Sequence, residues 1–90
     1  MGRPVNPPHA ETIALNALGF LADSPADLDG FLQRSGVDPT TIRTRAAERD
    51  FLSAVLDFLM ADEALLLRFC ENTRTEPKVV LRANYELGGI

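Results

Sequence analysis

The side chains that could carry out nucleophilic chemistry together in this 90-residue chain are its single histidine and single cysteine. A cysteine nucleophile needs a base and an orienting group beside it. His9 lies in the first turn of a helical pattern, whereas Cys70 lies on an apolar face far along the chain. One histidine and one cysteine are also too few for a structural zinc site. We therefore interpret Cys70 as a small hydrophobic residue that is buried. We interpret His9 as an exposed residue near the N-terminus of a helix.

Carboxylates and glycines point to no other catalytic site. Asp62 and Glu63 are adjacent, and Asp27 and Asp29 are two positions apart, so neither pair shares a helix face. The glycines are isolated and form no phosphate-binding loop. We therefore expect no enzyme activity, no catalytic or metal-binding residues and no cofactor.

The best candidates for nucleic-acid contact are Arg43, Arg45 and Arg49. They follow a turn around Gly36, and a helix-turn-helix motif joins two helices by such a turn. The net charge of -4 and the acidic residues of the same segment argue against this function, because phosphate binding needs clustered Lys and Arg. We therefore do not expect nucleic acid as the main partner, and weak nucleic-acid binding through these arginines is the alternative function.

Proline marks the starts of several helices. Asn6-Pro7, Ser24-Pro25 and Asp38-Pro39 each place a short polar residue before a proline and a helical pattern. Proline favours the first turn of a helix and holds the residue before it in the extended conformation of an N-cap. The side chain of that residue can then accept a hydrogen bond from the first turn.

Apolar residues at helical spacing follow each start. They predict helices over residues 7–22, 25–35 and 39–48, a fourth helix capped near Asp50 and a fifth capped by Asp62. The third helix has the fewest apolar residues and is the weakest. A continuous helix over residues 51–71 is the alternative, but a cap at Asp62 followed by Glu63 favours a break.

The pattern as a whole predicts an all-α protein, a compact orthogonal bundle of about five short helices. We expect a flexible lead over residues 1–5, a helical domain over residues 6–72, and a loop and weakly ordered C-terminal segment over residues 73–90. The segment after Pro77 could be a short sixth helix or a flexible, extended tail. We favour a short, frayed helix that ends at Gly88.

Several segments also support a resemblance over roughly residues 9–71. These segments are the runs ETIALNALGFLA from Glu11, FL from Phe31, FLSAVLDFL from Phe51, DEALLL from Asp62 and FC from Phe69. With these runs, the sequence resembles an uncharacterised bacterial helical family, domain of unknown function 3572. The resemblance implies no activity and no catalytic residues.

Apolar surface is the feature from which a function can be predicted. The first, fourth and fifth helices each carry an apolar arc wider than one neighbour covers. Leu67 lies at the margin of such an arc, and we predict that it forms, with Phe20 and Met60, a patch for self-association or for a protein partner. The alternative is that the C-terminal segment covers Leu67. The sequence thus favours a small helical protein-protein interaction or regulatory module.

Composition indicates where such a module would act. A single cysteine cannot form an internal disulfide, which favours a reducing, cytoplasmic compartment. The first residues do not resemble a signal peptide, and no apolar run approaches the ~20 residues of a membrane span. We therefore expect a cytoplasmic protein without a membrane partner.

Overall fold

The computed structural model describes residues 10–88, and these residues form six α-helices and no strand. The prediction of an all-α bundle is confirmed. The predicted flexible lead, the cap at Asn6 and the interpretation of His9 lie outside the described residues. The helices are α1 (Ala10–Ala22), α2 (Pro25–Ser35), α3 (Ile42–Arg45), α4 (Arg49–Met60), α5 (Glu63–Thr73) and α6 (Pro77–Glu86).

The core lies where α1, α4 and α6 meet. The helix α1 packs most extensively against α4 and α6, and small residues such as Ala14 and Ala17 let these helices approach closely. Both alanines are fully buried. Larger side chains fill the space around them, and the buried set includes Ile13, Leu21, Leu52, Val55, Leu56, Leu59, Phe69, Val80 and Leu87.

The helix α2 is attached by an aromatic cluster. Phe31 is its one buried residue among those described. The Phe31 ring meets the rings of Phe51 and Phe58 on α4 edge to face, with centroid distances of 5.7 and 5.5 Å. Edge-to-face contacts of this kind add to the stabilisation from burial alone.

The predicted break between the fourth and fifth helices is confirmed. The Asp62 carboxylate accepts a hydrogen bond from the backbone N–H of Leu65 at 3.2 Å, so Asp62 is the N-cap of α5. Ser24 also has the extended backbone of an N-cap, but its side chain makes no capping hydrogen bond. Proline alone therefore marks the start of α2.

Two predicted boundaries are wrong. The fourth helix begins at Arg49, and Glu48 rather than Asp50 has the extended backbone of its N-cap. The third helix does not run over residues 39–48, because a 3₁₀ turn at Pro39–Thr41 leads into a four-residue α3. Neither piece contains a buried residue, so little packing energy is available to extend this helix.

The C-terminal segment contains a packed helix. Glu76 is extended and Pro77 begins α6, by the same rule as at the earlier prolines. Val80, Ala83 and Leu87 are buried, so part of the segment over residues 73–90 belongs to the core. The prediction of a short helix is confirmed, and an extended tail over these positions is excluded.

Candidate functional site

The three predicted interface residues differ in exposure. Leu67 is 48% exposed on α5, whereas Phe20 and Met60 are half-buried. The Phe20 ring packs edge to face on Phe69 at 5.6 Å between centroids, and the Arg68 guanidinium lies 5.9 Å from its centroid. Phe20 is therefore already engaged by α5.

The C-terminal segment, as far as the structure describes it, does not cover Leu67. The helix α6 packs chiefly on α1 and α4, and about half of the Leu67 side chain stays exposed. The alternative explanation of this residue is therefore wrong. Glu63 lies one turn before Leu67 on α5, and Glu71 lies one turn after it. Leu67 is therefore an apolar residue between two acidic ones along this side of the helix.

Two of the three candidate arginines make contacts within the protein. Arg49 donates a hydrogen bond to the backbone carbonyl of Glu86 at 2.6 Å and lies 3.8 Å from the carboxylate of Glu11. It thereby connects the beginning of α4 with the end of α6 and the beginning of α1.

The other two arginines differ from each other. Arg45 Nε lies 3.2 Å from Glu48 Oε1, close enough for an ion pair but not aligned for a hydrogen bond. The Arg45 guanidinium also lies 5.7 Å from the centroid of the Phe51 ring. Arg43 is exposed on α3, which with four residues is much shorter than the recognition helix of a helix-turn-helix motif.

Cys70 has the surroundings of a structural residue. It is a free, buried cysteine, and burial raises the pKa of its thiol. A raised pKa keeps the side chain in the unreactive thiol form. Within residues 10–88 there is no group of three or more His, Cys, Asp or Glu side chains placed to hold a metal ion. None of the helices described is long and apolar enough to cross a membrane.

A row of exposed apolar residues on α6 was not predicted. We call Pro77, Leu81 and Tyr85 the α6 ridge, since they are four positions apart and lie along one side of the helix. Leu81 is 56% exposed and Tyr85 is 71% exposed. Lys78 and Arg82 follow the ridge on the same exposed side. The four-residue spacing was the signal that could have identified it.

A cleft between α2 and α4 is the second unpredicted feature. This α2–α4 cleft has a volume of about 190 Å³. Its charged groups are Arg34 on α2 and Asp57 on α4, and they form none of the ion pairs found among the described residues. Its lining consists of Arg34, Ser35, Ala54, Asp57, Phe58 and Ala61.

The carboxylate of the cleft is held by a buried amide. Asn84 of α6 is only 2% exposed, and its Nδ2 donates to Asp57 Oδ1 at 2.7 Å. Ser53 Oγ donates to Asn84 Oδ1 at 2.9 Å, so both ends of the amide are hydrogen-bonded. Ser53 and Asp57, four positions apart in the otherwise apolar part of α4 from Phe51 onward, were the signal for a polar partner.

Comparison with known proteins identifies a family and no activity. The model of a family described as "Protein of unknown function (DUF3572)" matches residues 7–90. No curated protein and no solved structure gives a significant match.

Proposed function

The chain belongs to the family described as "Protein of unknown function (DUF3572)", and we propose that it is a small, non-catalytic helical module that binds another protein. The observation that supports this function is the side-by-side exposure of Leu81 and Tyr85 on the α6 ridge. A cytoplasmic location, which the single cysteine favours, is part of the same proposal.

The ridge has the chemistry of a binding anchor. Tyrosine is enriched among the residues that dominate binding energy, because its ring supplies a large contact area at a low cost in conformational entropy. Leu81, one turn before Tyr85, extends the contact surface along the helix. Anchor residues four positions apart are typical of a helix that packs in a groove. The opposite side of α6 packs in the core through Val80 and Ala83, so the fold does not need the ridge to be covered.

Charge defines the chemistry of the partner. Lys78 and Arg82 accompany the ridge in a protein whose net charge is -4. Their ion pairs with Glu76 and Glu86, at 3.4 and 3.7 Å, are highly exposed and therefore weak. We propose a partner with an apolar groove and an acidic rim, because the groove complements the ridge and the rim offers Lys78 and Arg82 carboxylates in place of these weak pairs.

Leu67 supports this function less strongly. A lone exposed leucine is normal on a protein surface, and Glu63 and Glu71 flank this one. Phe20 and Met60, which we expected beside it, are half-buried. Leu67 therefore provides the matched control for the ridge.

The test compares three immobilised proteins in a nuclease-treated extract of the native cell. They are the wild type, the double variant Leu81→Ser with Tyr85→Ser, and the control Leu67→Ser. We expect the wild type and the control to retain the same protein from the extract. The double variant should retain at least tenfold less of it, and its binding to the purified partner should fall by the same factor. Circular dichroism and urea unfolding should show that the double variant is folded.

Two results would contradict the proposal. One is equal capture of every retained protein by the wild type and both variants. The other is that the wild type retains nothing above background. If the wild type instead forms a dimer that the double variant cannot form, the partner is a second copy and not a protein with an acidic groove, which sedimentation equilibrium would show.

A further inference from the structure

The α2–α4 cleft is lined by two opposite charges and by apolar side chains. Arg34 comes from the last turn of α2 and Asp57 from the middle of α4, and they line the same cleft. The ion pairs among the described residues do not include one between Arg34 and Asp57. Ala54, Phe58 and Ala61 supply apolar surface to the same cleft. A molecule that fills it would therefore meet a cation, an anion and an apolar surface together.

The anionic group of the cleft is oriented before any ligand arrives. Asp57 Oδ1 accepts the hydrogen bond from the buried Nδ2 of Asn84, which Ser53 holds in turn. The second carboxylate oxygen, Oδ2, makes no hydrogen bond to another described residue. A carboxylate that is already oriented loses less conformational entropy when it binds a cation.

The apolar lining of the cleft is also held in place. Phe58 packs edge to face against the buried Phe31, with 5.5 Å between ring centroids. Ser35 is engaged locally, because its hydroxyl donates to the backbone carbonyl of Leu32 at 3.5 Å and accepts from the N–H of Val37 at 3.3 Å. The free polar groups of the cleft are thus those of Arg34 and Asp57.

We propose that the α2–α4 cleft binds a small zwitterion with an apolar body, of the size and chemistry of a free aliphatic amino acid. The ammonium group lies at Asp57, the carboxylate at Arg34 and the aliphatic side chain on Phe58. The volume of about 190 Å³ is below the roughly 300–1,000 Å³ of sites for drug-sized ligands, so the ligand is small. This function is independent of the α6 ridge, because the two sites share no residue.

The experiment is a titration of the ¹⁵N-labelled protein with L-leucine, followed by amide chemical shifts. We expect saturable shifts around the cleft with a dissociation constant of roughly 1 mM, since a ligand with few atoms binds weakly. The matched probes are isopentylamine, which lacks the carboxylate, and 4-methylpentanoate, which lacks the ammonium. Each should bind at least tenfold more weakly than L-leucine.

Variants locate the two charged contacts. Arg34→Gln and Asp57→Asn should each weaken binding of L-leucine at least tenfold, while the control Arg43→Gln, on exposed α3, should leave it unchanged. Asparagine at position 57 keeps an oxygen that can accept from Asn84, so this variant should stay folded. The proposal is overturned if L-leucine causes no saturable shifts up to roughly 10 mM, if either singly charged probe binds as well, or if neither variant weakens binding.

Discussion

At the scale of single residues, Asn84 determines how α6 sits on α4. A buried amide without hydrogen-bond partners costs roughly 1–3 kcal/mol of stability by mutational measures. Asn84 avoids this cost because Ser53 donates to its oxygen and its nitrogen donates to Asp57. A shift of α6 along α4 would break both hydrogen bonds. The same contacts orient the carboxylate of the α2–α4 cleft.

Asp38 should make the stability of the turn before α3 depend on pH. Hydrogen bonds from the backbone N–H and then the hydroxyl of Thr40 lower the pKa of Asp38 below its ordinary value of 3.8. Because the folded pKa is depressed, the charged carboxylate stabilises the fold above the unfolded pKa. This contribution is lost as the pH falls from about 4 through the folded pKa.

Urea unfolding of the wild type and of Asp38→Ala between about pH 7 and pH 2 tests this expectation. The variant should be less stable at neutral pH, and the difference in the free energy of unfolding should shrink below about pH 4. A difference that stays constant over the whole range would show that the charge of Asp38 does not stabilise the turn.

At the scale of elements, two similar helix starts rely on different interactions. Asp62 accepts a capping hydrogen bond from Leu65 at 3.2 Å, whereas Ser24 has the extended backbone of a cap without a side-chain hydrogen bond. Asp62→Ala should therefore lower the free energy of unfolding by about 1 kcal/mol, and Ser24→Ala should change it by less than about 0.5 kcal/mol. Equal losses in urea titrations would mean that the hydrogen bond of Asp62 does not stabilise α5.

At the scale of the whole molecule, the attachment of α2 depends on Phe31. This ring contacts Phe51 and Phe58 of α4 and is the buried residue of its helix. Phe31→Ala should cost about 3–5 kcal/mol, a large share of the roughly 5–14 kcal/mol typical of a protein of this length. The exposed Leu67→Ala should cost less than about 0.5 kcal/mol. Thermal and urea unfolding measure both, and a small loss at Phe31 would show that α2 is held by other contacts.

The sequence by itself determined the helices, their order and most of their starts. Ser24-Pro25, Asp38-Pro39 and Asp62 act through the backbone dihedral angles and hydrogen bonds of neighbouring residues, so local sequence is sufficient to predict them. The same reasoning fails for the third helix, because its length depends on packing energy that α3 does not obtain from the core.

Only the tertiary structure decided which side chains remain available for function. Leu67 was predicted to be exposed or covered, and it is exposed because α6 packs on α1 and α4 instead. Arg49, predicted as a nucleic-acid contact, is bonded to the end of α6. The spacing of Pro77, Leu81 and Tyr85 places them on one side of α6, but whether that side is exposed depends on which helices meet. The α2–α4 cleft joins residues of two helices, and such contacts between distant positions are not encoded in the spacing along one helix.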